Sequence, residues 1–123
     1  MSRIIDESAT VDSLSALAQA TRLQVFRALI AAYPRGVPAG DIASKFQVPH
    51  NTMSSHLAIL TRAGLAVSER QGRTVFYRAD VSGFRDVVAF LVGDCCAGRP
   101  EICAPLFQPL LDACSCAPET VDG

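Results

Sequence analysis

The sequence predicts a mainly α-helical fold with one small β-hairpin, in the order of a winged helix-turn-helix. Three observations predict it. Apolar residues recur three and four apart over most of the chain, the period of helices with one buried face. Between Asp41 and Tyr77 a short helical pattern, a turn, a second helical pattern and two β-rich runs follow in succession. At 123 residues, 50% hydrophobic and 19% charged, the chain suits one globular domain rather than a disordered polymer.

Residues 1–10 read as a frayed start. Asp12 or Ser13 is expected to cap a first helix through Leu14, Leu17 and Ala18. Thr21 is expected to cap a second helix. Leu23, Phe26, Ala28, Leu29 and Ile30 form its buried face, while Arg22, Gln24 and Arg27 turn to water. Pro34-Arg35-Gly36 stops it, and Val37 to Gly40 is a link able to add a short strand to the hairpin. A short helix then opens at Asp41, its cap, with Ile42, Ala43 and Phe46 inward and Val48 packing the turn. Pro49 stands where the next helix begins and a missing N–H costs little.

From His50 the pattern is helical to about Ala63, with Met53, Leu57 and Leu60 as the buried stripe and Gly64 as the stop. Leu65 to Arg70 and Thr74 to Ala79 form the hairpin around Gln71-Gly72-Arg73. Asp80 or Ser82 caps a last helix carrying Phe84, Val87, Val88, Leu91 and Val92, a face apolar enough for a dimer surface, with the first helix as its partner. Gly93 and Gly98-Arg99-Pro100 mark its end. Ile102 to Cys114 have room for another helical turn or two, and residues 117–123 read as disordered.

The net charge of −1 does not advertise a nucleic-acid partner, but its distribution does. Residues 41–85 hold six basic side chains against three acidic ones, a net +3, whereas residues 94–123 come to −4. A helix that enters the major groove needs small polar side chains near its N-terminus, because large ones hold it out. His50, Asn51, Thr52, Ser54 and Ser55 meet that need opposite the buried stripe. Arg70 and Arg73 flank the hairpin tip, where a wing reaches phosphates or the minor groove. His56 abuts the buried stripe and reads as a hydrogen-bonded structural residue.

ALAQATRLQVFRAL, DIASKF, TMSSHLAILTRAGL and RQGRTVFYRA together resemble the ArsR/SmtB family of metal- and metalloid-responsive bacterial repressors, over roughly residues 12–92. The most specific part is S-x-H-L-x-x-L-x-x-A-G-L, Ser54 to Leu65, followed by the Gly-containing wing and a Tyr. The resemblance implies a homodimer whose paired recognition helices enter successive major grooves of a two-fold, double-stranded operator. It puts His50, Asn51, Ser54 and Ser55 on the bases.

Five cysteines all follow residue 94, in a chain with no secretory signal and no run long enough to span a membrane, so a cytoplasmic location is expected. Two sensor sites used in the family are absent: Pro38 to Phe46 lacks a C-x-C pair, and residues 81–94 lack histidine. Cys95-Cys96 with Cys103 instead resembles the C-terminal site of trivalent-arsenic sensors in that family. Three thiolates suit three-coordinate As(III) or Sb(III), whereas zinc usually takes four ligands. Cys114 or Cys116 could supply a fourth sulfur, which keeps zinc or cadmium open, as it does a thiol-redox response. Cys95 and Cys96 converge only where the helix ends or frays. The expected organisation is a DNA-binding and dimerisation domain over 1–94 and a cysteine-bearing sensing segment over 95–123. An enzyme is not expected, since both histidines belong to the DNA-reading stretch and no base is left for the thiols; a thiol-based metal carrier is the remoter alternative.

Overall fold

The computed structural model describes the backbone of residues 7–96 and the side chains of residues 7–92. The order is α1 (Glu7–Leu17), α2 (Ala20–Ala32), β1 (Val37–Pro38), α3 (Ala39–Phe46), α4 (His50–Arg62), β2 (Ala66–Gln71), β3 (Thr74–Ala79) and α5 (Val81–Cys96). This is the mainly α fold with a β-hairpin that the sequence predicts. The link before α3 does join the sheet: β1 pairs antiparallel with β3, Val37 opposite Tyr77, giving the order β1-β3-β2. Residues 1–90 form one compact unit, and the chain from Leu91 belongs to a second.

One core holds the first unit together. Val25, Phe26 and Leu29 of α2, Ile42 and Ala43 of α3, and Met53, Leu57 and Leu60 of α4 are buried with Leu65, Ala66 and Ala79 of the hairpin. Each large side chain so buried contributes about 1.5–3 kcal/mol. Phe84 of α5 joins it through Phe26, with ring centroids 5.2 Å apart and planes tilted by 52°.

The first two helices differ from expectation. α1 begins at Glu7, so residues 7–10 are helical and neither Asp12 nor Ser13 is its cap. Its buried face is Thr10, Ser13 and Ala16, whereas Val11 and Leu14 stand 53% and 40% exposed. Small side chains let α1 approach closely, and the Ser13 hydroxyl donates to the Ala63 carbonyl oxygen at 2.8 Å. In α2, Gln19 caps in place of Thr21, its Oε1 accepting from the Arg22 N–H at 2.8 Å. Val25 takes the buried place expected for Leu23 and Ile30, which are 44% and 39% exposed. α3 starts two residues before Asp41 and has no side-chain cap.

The helix ends follow backbone chemistry more closely. After α4 the Gly64 N–H donates to the Thr61 carbonyl and the Leu65 N–H to that of Leu60, with Gly64 at φ +80°; this paired closure satisfies two otherwise orphaned carbonyls. Asp80 caps α5 as expected, its Oδ1 accepting from the Gly83 N–H at 2.9 Å. The helix passes through Gly93 and continues to Cys96, because a glycine weakens a helix without ending it.

Gly83 lies against the Gly64 carbonyl oxygen, where an added Cβ would collide with backbone. Gly83→Ala is therefore expected to destabilise the fold by about 1–3 kcal/mol despite alanine's better helix propensity. Thermal melts should show a clear loss relative to Ser82→Ala, an exposed neighbour on the same turn; equal melting would mean that α5 shifts freely off the Gly64 corner.

Candidate nucleic-acid interface

The angle between α3 and α4 is set by a three-residue turn. Gln47 takes the left-handed conformation at φ +55°, its N–H donating to Ser44 and that of Val48 to Ala43. A non-glycine residue there costs roughly 1–2 kcal/mol, which is tolerated because Val48 packs on the core and Pro49 starts α4. Seating Met53, Leu57 and Leu60 in the core then fixes which face of α4 looks outward.

All five polar residues expected on that face are exposed: His50, Asn51, Thr52, Ser54 and Ser55. Asn51 is partly engaged with its own helix. Its Oδ1 accepts from the Thr52 N–H at 3.1 Å, and its carbonyl accepts from the Ser55 hydroxyl at 3.4 Å. The Asn51 amide group keeps its two donors. Lys45, on the last turn of α3, is also exposed, its ammonium 5.7 Å from the Phe46 ring centroid.

In the wing, Gln71 pairs with Thr74, so the connection is two residues, Gly72-Arg73, one fewer than expected. Gly72 has φ +66°, the geometry for which a hairpin turn of this length selects glycine first. Arg70 and Arg73 are both exposed, Arg73 at the tip itself.

His56 has the structural surroundings expected. Arg22 Nη1 lies 3.4 Å from its Nδ1, and Arg22 Nε donates to the Ala16 carbonyl at 2.7 Å. Arginine only donates, so Nδ1 must accept and the imidazole proton sits on Nε2. Burial, and after it the Arg22 charge, lower the His56 pKa below its usual 6.5. Arg22 and Ser13 are the residues that sequence reasoning missed. Their contacts bridge 34 and 50 residues, and no local pattern signals them.

Of the expected ligands, Cys95 and Cys96 lie on the backbone of the last turn of α5. Cys103, Cys114 and Cys116 fall outside the described residues. Among the described residues no group of three His, Cys, Asp or Glu side chains could hold a metal ion, and no helix is long and apolar enough to cross a membrane.

A family model described as a helix-turn-helix domain matches residues 17–69. The chain is 35% identical over 78 residues to the HTH-type transcriptional regulator KmtR of Mycobacterium tuberculosis; the match covers 63% of this chain and 58% of that relative, so it spans about three fifths of the relative's length. Among solved structures, a possible transcriptional regulator for arsenical resistance superposes with a TM-score of 0.59 at 29% identity, over 65% of this chain and 80% of that one. An ArsR-like transcriptional regulator from Rhodococcus sp. RHA1 shares the fold, with a TM-score of 0.62 at 23% identity over 82% and 92% of the two chains. All three carry the names of transcriptional regulators, one of them as a possible one. With its helix-turn-helix, its three-stranded wing sheet and these likenesses, the chain carries a helix-turn-helix domain in a winged fold similar to that of ArsR-like transcriptional regulators.

Proposed function

We propose that this chain is a cytoplasmic, homodimeric repressor that binds double-stranded operator DNA and is released by trivalent arsenic or antimony. The observation that carries the DNA half is the two-sidedness of α4. One face is buried to the last atom at Leu57 and Leu60, while the other presents five small or medium polar side chains from its N-terminal half. His50, Asn51, Ser54 and Ser55 contact base edges, and Thr52 serves the neighbouring backbone. Arg70 and Arg73 hold phosphates beside the wing, where they fix register without reading sequence. The outward Val11 and Leu14 of α1, together with the exposed Leu91 of α5, support self-association, which brings two copies of α4 to one duplex.

The sensing half rests on the continuity of α5. It starts at the Gly64 corner, where α4 ends, and runs unbroken to Cys95 and Cys96. The donor chemistry fits: Cys95, Cys96 and Cys103 offer three soft sulfurs to a three-coordinate thiophile, and binding drives their deprotonation. Adjacent residues on an intact helix point about 100° apart. Cys95 and Cys96 therefore reach one ion only if the last turn of α5 opens, and that opening is the signal passed along the helix. Cys114 and Cys116 remain available as further ligands. The name of the neighbour linked to arsenical resistance supports this choice of inducer over zinc.

Two experiments test the proposal. A duplex selected from a random library by the wild-type chain should lose affinity by about 1–3 kcal/mol on Asn51→Ala. Arg73→Ala should weaken all duplexes alike and lower the slope of log affinity against log salt by about 0.9. In mobility shifts, arsenite should release the selected duplex with a coupling of roughly 1–3 kcal/mol, and Cys95→Ser with Cys96→Ser should abolish release. Release that persists in the double variant removes these thiols from the site; release by peroxide alone, reversed by dithiothreitol, makes the switch a redox one.

A further inference from the structure

A helix seated by a single apolar stripe is free to roll about its own axis unless something off the stripe resists. In α4 the stripe is Met53, Leu57 and Leu60, and His56 lies at its border. Arg22 reaches His56 at 3.4 Å from the first turn of α2, and the same guanidinium holds the Ala16 carbonyl, at the end of α1, at 2.7 Å. The Gln19 side chain in turn fixes the backbone from which Arg22 projects. Three helices thus meet at one planar, multiply donating group, which a lysine could not replace.

We propose that Arg22 is a positioning residue for DNA reading: by bridging the end of α1 to His56 it fixes the roll of α4, and with it the specificity of base contact. This rests on α4 being the DNA-reading helix. Side chains on a helix lie about 5 Å from its axis, so a roll of about 10° moves them by nearly 1 Å. Hydrogen bonds to base edges do not survive that displacement, whereas contacts to phosphates through long arginines do. Loss of the bridge therefore lowers the preference for the correct sequence rather than affinity for DNA in general.

The bridge requires a neutral His56, because a protonated imidazole no longer accepts at Nδ1 and sets a second cation beside Arg22. Arg22 is the charged group that faces His56 from α2; Asp12 of α1 and Arg62 of α4 line the cleft beside Arg22. His56 already titrates below its usual 6.5, so the bridge is intact at neutral pH and is lost as pH falls through the lowered value.

The test compares the selected duplex with a scrambled one of equal composition, using the full chain. Arg22→Met is expected to weaken the selected duplex about tenfold while the scrambled duplex changes by less than about twofold. The ratio of the two affinities for the wild type should hold at neutral pH and fall as pH drops below 6.5 through the lowered His56 value, and His56→Gln, which keeps a pH-independent acceptor, should flatten that fall. His50 is present in both proteins and cancels from the comparison. Equal weakening on both duplexes, or none, overturns the role of Arg22. Should Arg22→Met fail to fold, the pH profiles decide alone, and parallel profiles for wild type and His56→Gln overturn it. If the wild type selects no sequence, the DNA-reading proposal itself falls, and this one with it.

Discussion

The structure turns on the corner at Ala63-Gly64-Leu65. Gly64 must take a positive φ there, and the paired hydrogen bonds around it close α4. Contacts from three elements converge on this corner at the end of α4. The Ser13 hydroxyl of α1 donates to the Ala63 carbonyl, the Asp80 N–H donates to that of Leu65, and Gly83 of α5 packs on the oxygen of Gly64. Gly83 is what allows this approach, since an added Cβ there would collide with the Gly64 backbone, whereas Gly64 is needed for its positive φ. The recognition helix, the wing and the last helix are thereby referenced to one point.

That convergence explains how α4 carries two opposed requirements. Its inner face has to be fully buried to hold the helix, and its outer face has to stay small and polar to be useful. The buried Met53, Leu57 and Leu60 together contribute on the order of 5–8 kcal/mol, comparable with the whole stability of a small domain. The polar residues from His50 to Ser55 are free to be chosen for what they touch.

Much of this was legible in the sequence wherever local chemistry dictates the outcome. The stripe of α4, the Gly64 stop, the Asp80 cap and the hairpin with its glycine all read correctly, since each depends on neighbours within a few residues. The first two helices did not. In α1 the apolar Val11 and Leu14 face outward while Thr10 and Ser13 are buried, the reverse of what hydrophobic periodicity expects. Such a pattern is unreadable locally because Ser13 is satisfied by a carbonyl 50 residues away. In α2, Leu23 and Ile30 mislead in the same way, and Gln19 caps where Thr21 was expected. The polar residues expected on the outer face of α4 are all exposed, whereas the long-range contacts of Arg22 and Ser13 that add to its seating were invisible until the chain was folded.

The wing has a mechanical consequence of its own. Its strands are six residues long and joined by only two, so it is a short, stiff arm with Arg73 at its free end. Pairing with β1 holds β3 as far out as Phe76, so about three residues, roughly 10 Å, project beyond that support. A tilt of about 5° there sweeps the tip through nearly 1 Å, enough to stretch a hydrogen bond out of range. The hairpin is thus a short lever whose fulcrum is its pairing with β1. Small adjustments there are magnified at the tip, where Arg73 stands.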